Sequence, residues 1–163
     1  MRIALYQPDI PQNTGTILRL AACLGIGVDI IEPTGFALTD RALRRAGMDY
    51  LDIAEFTRHL DFDHFEKKRR TDGSRLILLT THAETAYTDF RFAKTDHLLF
   101  GRESAGVPET VHAAADARLA VPIADGLRSL NVAVACAMVV GEALRQTDGF
   151  PIRSNIEENE GRQ

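Results

Sequence analysis

The sequence predicts an α/β fold: a mostly parallel sheet flanked by helices. Short β-like runs alternate with helical patterns along most of the chain, which is how strand–helix–strand units read. Runs such as Leu76-Ile-Leu-Leu79 are continuously apolar, as in strands covered on both faces. The length of 163 residues, 45% of them hydrophobic, suffices for one buried core without metal or disulfide staples. The expected organisation is a single domain over residues 1–150 and a polar tail over 151–163.

Ile3–Tyr6 reads as the first strand, ended by the loop Gln7-Pro-Asp-Ile-Pro-Gln12. A helix follows over Thr14–Leu24, capped by Asn13 or Thr14. Ile17, Leu20, Ala21 and Leu24 form its apolar face, and Gly25 stops it. Gly27–Ile31 is a second strand, and Pro33-Thr-Gly35 a turn. Thr39 then caps a short basic helix closed by Gly47. Leu51–Phe56 reads as a third strand and Phe62–Arg70 as an amphipathic helix. Arg75–Thr80, His97–Phe100 and Arg118–Val121 are further strands, with a helix begun by Pro108 before the last of them. The final helix spans Leu130–Gln146. Its stretch Val132–Val140 is apolar on every face and needs cover on all sides. A central helix of a monomer or a second subunit would supply that cover. We expect a homodimer.

Composition excludes several classes. The net charge of -4 lies wholly in residues 76–163, because residues 1–75 hold 11 basic and 11 acidic groups. A sequence pI near 5.7 is no footprint of a nonspecific nucleic-acid binder. Two local basic clusters remain. Arg41, Arg44 and Arg45 would share a helix face, and Lys67–Arg70 is an unbroken run. The N-terminus lacks a secretory pattern, and no apolar run approaches the ~20 residues of a membrane helix, so a cytoplasmic protein is expected. Cys23 and Cys136 fit structural thiols better than a disulfide. The five histidines show no zinc spacing, so no metal is expected, and His59 and His64 read as solvated. Glycine-rich dinucleotide and phosphate loops and the nucleophile elbow are absent.

Three segments stand out, each at the C-terminal end of a predicted strand, where open α/β sheets bind ligands. In the first, Asn13 and Arg19 flank a helix start, where Arg19 offers a planar fork for an anion. A capping Asn and a surface Arg explain that pair equally well. In the second, Gly101 and Gly106 bracket Glu103. Gly101 would let a flat ligand lie against main chain, although an ordinary strand-to-helix turn has the same form. In the third, Val121 to Leu130 runs into the apolar helix through Arg128-Ser-Leu-Asn131. Ser129 would cap that helix, leaving Arg128 and Asn131 to find other partners.

Together these segments carry a resemblance. Asn13-x5-Arg19, Phe100-Gly-x-Glu-x-x-Gly-x-Pro108 and Pro122…Arg128-Ser-Leu-Asn131 resemble, in order and spacing, the three motifs of SPOUT RNA 2′-O-methyltransferases. Ile31-Glu-Pro-x-Gly-Phe36 and Leu43-Arg-Arg-Ala-Gly47-x-Asp-Tyr50 are similar to the subgroup acting on the wobble cytidine or uridine of tRNA. The resemblance covers about residues 2–148. It implies a C-terminal trefoil knot, a homodimer, tRNA as partner and S-adenosyl-L-methionine as methyl donor. By position, Leu79, Gly101, Val121, Ile123, Ser129 and Leu130 correspond to the cofactor contacts. Arg19 would act on the hydroxyl, Asn13 and Asn131 would orient Arg19 or the ribose, and Glu103 would brace the loops. Arg128 would meet RNA or the cofactor carboxylate, and Arg41, Arg44 and Arg45 would meet RNA. One departure is Gly141, where many subgroup members carry an aromatic associated with RNA engagement. Alternative expectations are another tRNA position, ribosomal RNA, or a binding protein without catalysis. A flavodoxin-like nucleotide binder leaves the Arg-Ser-Leu-Asn quartet unexplained.

Overall fold

The computed structural model describes residues 1–39 and 54–152. Its elements, in chain order, are β1 (Arg2–Tyr6), α1 (Pro11–Leu24), β2 (Gly27–Ile31), β3 (Phe56–His59), α2 (Phe62–Thr71) and β4 (Leu76–Leu79). A 3-10 turn at Tyr87–Asp89, β5 (His97–Phe100), α3 (Glu109–Ala114), β6 (Ala117–Leu119) and α4 (Val132–Gln146) complete it. The six strands form one sheet in the order β3-β2-β1-β5-β4-β6, and every neighbouring pair is parallel. β1 therefore lies at the centre, with Leu5 between Ile30 and Phe100.

Both faces of the sheet are covered, as the continuous apolar runs require. Ile3, Leu5, Val28, Ile30 and Leu98 pack with Ile17 and Leu18 of α1 and Val139 and Val140 of α4. Ala4, Ile31, Leu78 and Leu99 pack on the other face with Phe65 of α2 and Val111 of α3. Cys136 is buried in α4 while Cys23 is exposed, and both are free; burial pushes the Cys136 thiol well up.

Several boundaries differ from the sequence expectation. α1 begins at Pro11, with Ile10 before it making no side-chain cap bond. Proline at the first helical position needs no N–H partner, so the helix starts early without a polar cap and Asn13 is released for other work. Gly25 does end it, at φ 65°. The third strand is Phe56–His59, set by pairing with Val28–Ile31, instead of 51–56. Residues 51–53 lie outside the described residues, as does the predicted basic helix from residue 40 onward with Arg41, Arg44 and Arg45. β6 stops at Leu119, which leaves Val121 free to face the ligand edge. Asn131, not Ser129, caps α4.

His59 is buried, contrary to its expected solvated role. Its Nε2 lies 2.7 Å from Asp29 Oδ1, while Arg2 Nε donates to Asp29 Oδ2 at 2.6 Å. A buried carboxylate must be paired, and the cluster does this at the start of the sheet. The basic run is no uniform surface patch either: Arg69 is buried and binds Glu66, while Lys67, Lys68 and Arg70 are exposed. On α4, Val134 is 50% and Met138 40% exposed, so a single chain does not cover that helix on all sides.

Candidate functional site

Strand order reverses direction between β1 and β5, and the loops leaving these adjacent strands part to opposite sides. Such a switch point leaves a crevice at the carboxyl ends of the strands. The loop after β1 runs through Gln7, which adopts a left-handed φ of 45°, and α1 begins a few residues later. The loop after β5 is closed on itself by reciprocal bonds. Arg102 N–H donates to Gly106 C=O at 3.1 Å, and Gly106 N–H donates to Arg102 C=O at 2.8 Å. The two glycines serve this loop for different reasons. Gly106 has φ 65°, a torsion that side chains disfavour, whereas a Cβ on Gly101 would sit 2.7 Å from the Gly106 carbonyl carbon.

Glu103 joins the two loops. Its Oε2 accepts from Asp9 N–H at 2.9 Å, and its Oε1 accepts from Asn13 Nδ2 at 2.9 Å. Asn131 Nδ2 in turn donates to Asn13 Oδ1 at 2.9 Å. The amide orientations follow from chemistry. Asn131 Oδ1 caps α4 by accepting from Ala133 N–H at 2.8 Å and Val134 N–H at 3.3 Å, so its NH2 must turn to Asn13. Asn13 then presents its own NH2 to Glu103, whose carboxylate only accepts. One directional chain of hydrogen bonds thus runs from the start of α4 through α1 to the β5 loop.

A cleft of about 590 Å³ opens beside this chain. Leu79, Gly101, Val121, Ile123, Ser129 and Leu130, the six expected cofactor residues, all line it. Asn13, Glu103, Arg128 and Asn131 line it as well. The volume falls in the range of roughly 300–1,000 Å³ usual for small-molecule sites. Leu79, Val121, Ile123 and Leu130 supply apolar surface for a flat ring, and the loop backbones supply donors and acceptors. That combination fits a nucleoside with a polar amino-acid tail, as S-adenosylmethionine is.

Arg19 is not part of the lining. It is exposed on α1, six residues from Asn13, which is about 9 Å along a helix axis. Sequence reasoning overlooked Asp9, which binds the β5 loop through backbone and carboxylate. Its position in the loop just past a strand, at the ligand edge, was the available signal. His82 and His112 also line the cleft and carried no motif. Among the described residues no group of three or more His, Cys, Asp or Glu side chains is placed to hold a metal ion. No described helix is long and apolar enough to cross a membrane.

The profile of the SpoU rRNA Methylase family matches residues 1–141. The chain belongs to this family. Among SpoU relatives, a protein of Ancylobacter novellus is 57% identical over 150 residues, covering 92% of this chain and 95% of its own. One of Beijerinckia indica is 62% identical over 144 residues, covering 88% and 90%. One of Escherichia coli is 40% identical, covering 93% and 96%. All three are named tRNA (cytidine(34)-2'-O)-methyltransferase. Among solved structures, one described as "Structural insights into the 2-OH methylation of C/U34 on tRNA" matches with a TM-score of 0.84 at 40% identity. It covers 89% of this chain and 94% of that one. The SpoU methyltransferase AviRb of Streptomyces viridochromogenes, in complex with AdoMet, matches at TM-score 0.78 and 26% identity, covering 90% and 57%. The SpoU fold is thus the six-stranded parallel sheet described above.

Proposed function

We propose that this chain transfers a methyl group from S-adenosylmethionine to the ribose 2′-oxygen of the wobble cytidine or uridine, position 34, of tRNA. The observation that carries it is the meeting of all three motif segments at one cleft, with Asn13 on the same helix as Arg19. The relatives' shared name supports tRNA over the ribosomal RNA of the family's description. S-adenosylmethionine supplies an electrophilic methyl group on a sulfonium centre.

The residues divide the work. Leu79, Gly101, Val121, Ile123, Ser129 and Leu130 hold the cofactor. Arg19 presents its guanidinium to the 2′-oxygen and stabilises the negative charge that develops as the hydroxyl proton passes to solvent water and the oxygen takes the methyl group in its place. An arginine stays protonated in proteins, which favours this electrostatic role over that of a literal base. Asn13, Asn131 and Glu103 fix the geometry, because their hydrogen bonds are committed to one another. Positioning of this kind is worth several kcal/mol in a two-substrate reaction. Arg128, exposed on the cleft rim, reaches RNA or the cofactor carboxylate, and Arg41, Arg44 and Arg45 bind RNA phosphates.

The working unit we infer is a cytoplasmic homodimer of single domains (1–150, with a polar tail), each with a C-terminal trefoil knot. Exposed Val134 and Met138 lie at i and i+4 on one face of α4, as a subunit contact would place them. Gly141 continues that stripe, and a Cβ there would meet nothing within 4 Å in the single chain, so packing within one subunit does not demand glycine. Incubation with labelled cofactor and either tRNA or ribosomal RNA, followed by nucleoside mapping, tests the proposal. Label at the ribose of nucleotide 34 is expected. Label on ribosomal RNA alone, or none, would overturn it.

A further inference from the structure

We propose that Asp9 is a positioning residue for the cofactor-binding loop. It fixes Arg102–Ser104 in the shape that admits S-adenosylmethionine and ties that loop to the helix carrying Asn13 and Arg19. The proposal rests on the cofactor assignment made above. Asp9 does not line the cleft, yet three consecutive residues of the β5 loop hold it. Its Oδ2 accepts from Ser104 N–H at 3.0 Å and also from the Ser104 hydroxyl. Its Oδ1 lies 3.4 Å from Arg102 Nε, and its own N–H donates to Glu103. Arg102, Glu103 and Ser104 all line the cleft, so each of these polar contacts ends on a residue that faces it.

The Asp9 backbone is held from behind. A Cβ on Gly35 would approach Asp9 Cα to 2.9 Å, so the turn leaving β2 packs directly against its backbone. Gly35 N–H donates to Pro8 C=O at 2.9 Å, and Gln7 N–H donates to Ile31 C=O at 2.9 Å. The turn after β1 is thereby anchored to the β2 side of the sheet, and its carboxylate reaches across the switch point to the β5 side. Pro11 starts α1 two residues later. Movement of Asp9 must therefore displace the cofactor loop relative to α1. Its side chain is 21% exposed, and the Arg102 partner 31%. Ion pairs of that exposure add little to global stability, so the effect is local ordering of the loop.

The test uses the full chain, with cofactor affinity read by calorimetry beside thermal melts. Asp9→Ala is expected to weaken S-adenosylmethionine binding about tenfold or more, as loss of hydrogen bonds to a charged group does. The melting temperature should move by no more than about 3 °C. Asp9→Asn, whose amide oxygen still accepts from Ser104 N–H, should recover part of the affinity. Because Asp9 acts through Ser104, the double variant Asp9→Ala/Ser104→Ala should bind no worse than the weaker single variant. Wild-type affinity in Asp9→Ala overturns the inference, as do losses that add fully in the double variant. A large melting shift shared by the Ala and Asn variants also overturns it, since that marks a merely structural residue. A wild-type chain that binds no S-adenosylmethionine overturns the functional reading itself, which separates the two failures.

Discussion

Gly101→Ala is the sharpest perturbation of the site. The added methyl would lie 2.7 Å from the Gly106 carbonyl carbon, 2.8 Å from its Cα and 3.0 Å from its oxygen. All three are backbone atoms, so no side chain can swing aside. Ordinary contact begins at 3.4 Å, which requires the loop to open by about 0.7 Å, the difference between 3.4 and 2.7 Å. The reciprocal Arg102–Gly106 bonds, at 3.1 and 2.8 Å, resist that opening. Overpacking of this kind costs about 1–3 kcal/mol. For a chain of this size that predicts a melting shift on the order of 2–12 °C. Calorimetric titration with S-adenosylmethionine should show affinity lost in larger proportion than stability, because the displaced loop lines the cleft proposed to hold the cofactor. Gly106→Ala is the control. Nothing lies within 4 Å of its Cβ, but its φ of 65° charges the same loop a torsional penalty of about 1–2 kcal/mol. A Gly101→Ala protein that binds cofactor as the wild type does would refute the steric argument and the placement of the loop.

Further expectations follow from the same geometry. Asn131→Asp keeps an acceptor for Ala133 and Val134 N–H but cannot donate to Asn13. Circular-dichroism melts should therefore hold while methyl transfer falls, whereas Asn131→Ala should also lose about 1 kcal/mol of helix capping. Arg19→Ala and Arg19→Lys should retain cofactor affinity in calorimetry and lose most methyl transfer, since Lys lacks the planar fork. Burial among Asp29, Arg2, Arg69 and the N-terminal amine lowers the His97 pKa below its ordinary value, desolvation being the largest cause and the Asp29 charge opposing it. His59 also shares the Asp29 carboxylate. Below about pH 6.5 the unfolded chain then binds the extra proton and the folded one does not, so stability should fall with pH there. Melts from pH 7.5 to 5.5 should show that slope, and His97→Gln should flatten it. The tRNA affinity should drop with added salt, by roughly two to three counterions if Arg41, Arg44 and Arg45 meet phosphates; a flat salt profile would displace them from the interface.

The legible part of the fold was whatever rests on continuous apolar runs. Leu76–Leu79 and His97–Phe100 stand where they were expected, because burial on both faces leaves no room for another pattern. The third strand was misplaced for the converse reason. Phe56 and Thr57 are half-buried, Arg58 is exposed and His59 is buried, so the strand shows no alternation, and the burial of His59 depends on Asp29, a partner thirty residues away that no local pattern reveals. His59 looked solvated for the same cause. That Asn13, Gly101, Glu103 and Asn131 line one cleft was legible because their spacing matches known motifs. Asp9 was not, since its role exists only where two adjacent strands part. The cap of α1 was misread because proline can begin a helix without one, while the true cap of α4 was Asn131, already marked for another purpose.

The Asn13–Asn131 bond spans 118 residues, and the Asn13–Glu103 bond spans 90. A ligand edge stitched across such separations cannot close until residue 131 has left the ribosome. Any product of premature termination before residue 131 lacks the last stitch, and with it the cap that starts the final helix. Nascent chains of this protein should consequently stay inert toward nucleotide ligands until residue 131 has emerged.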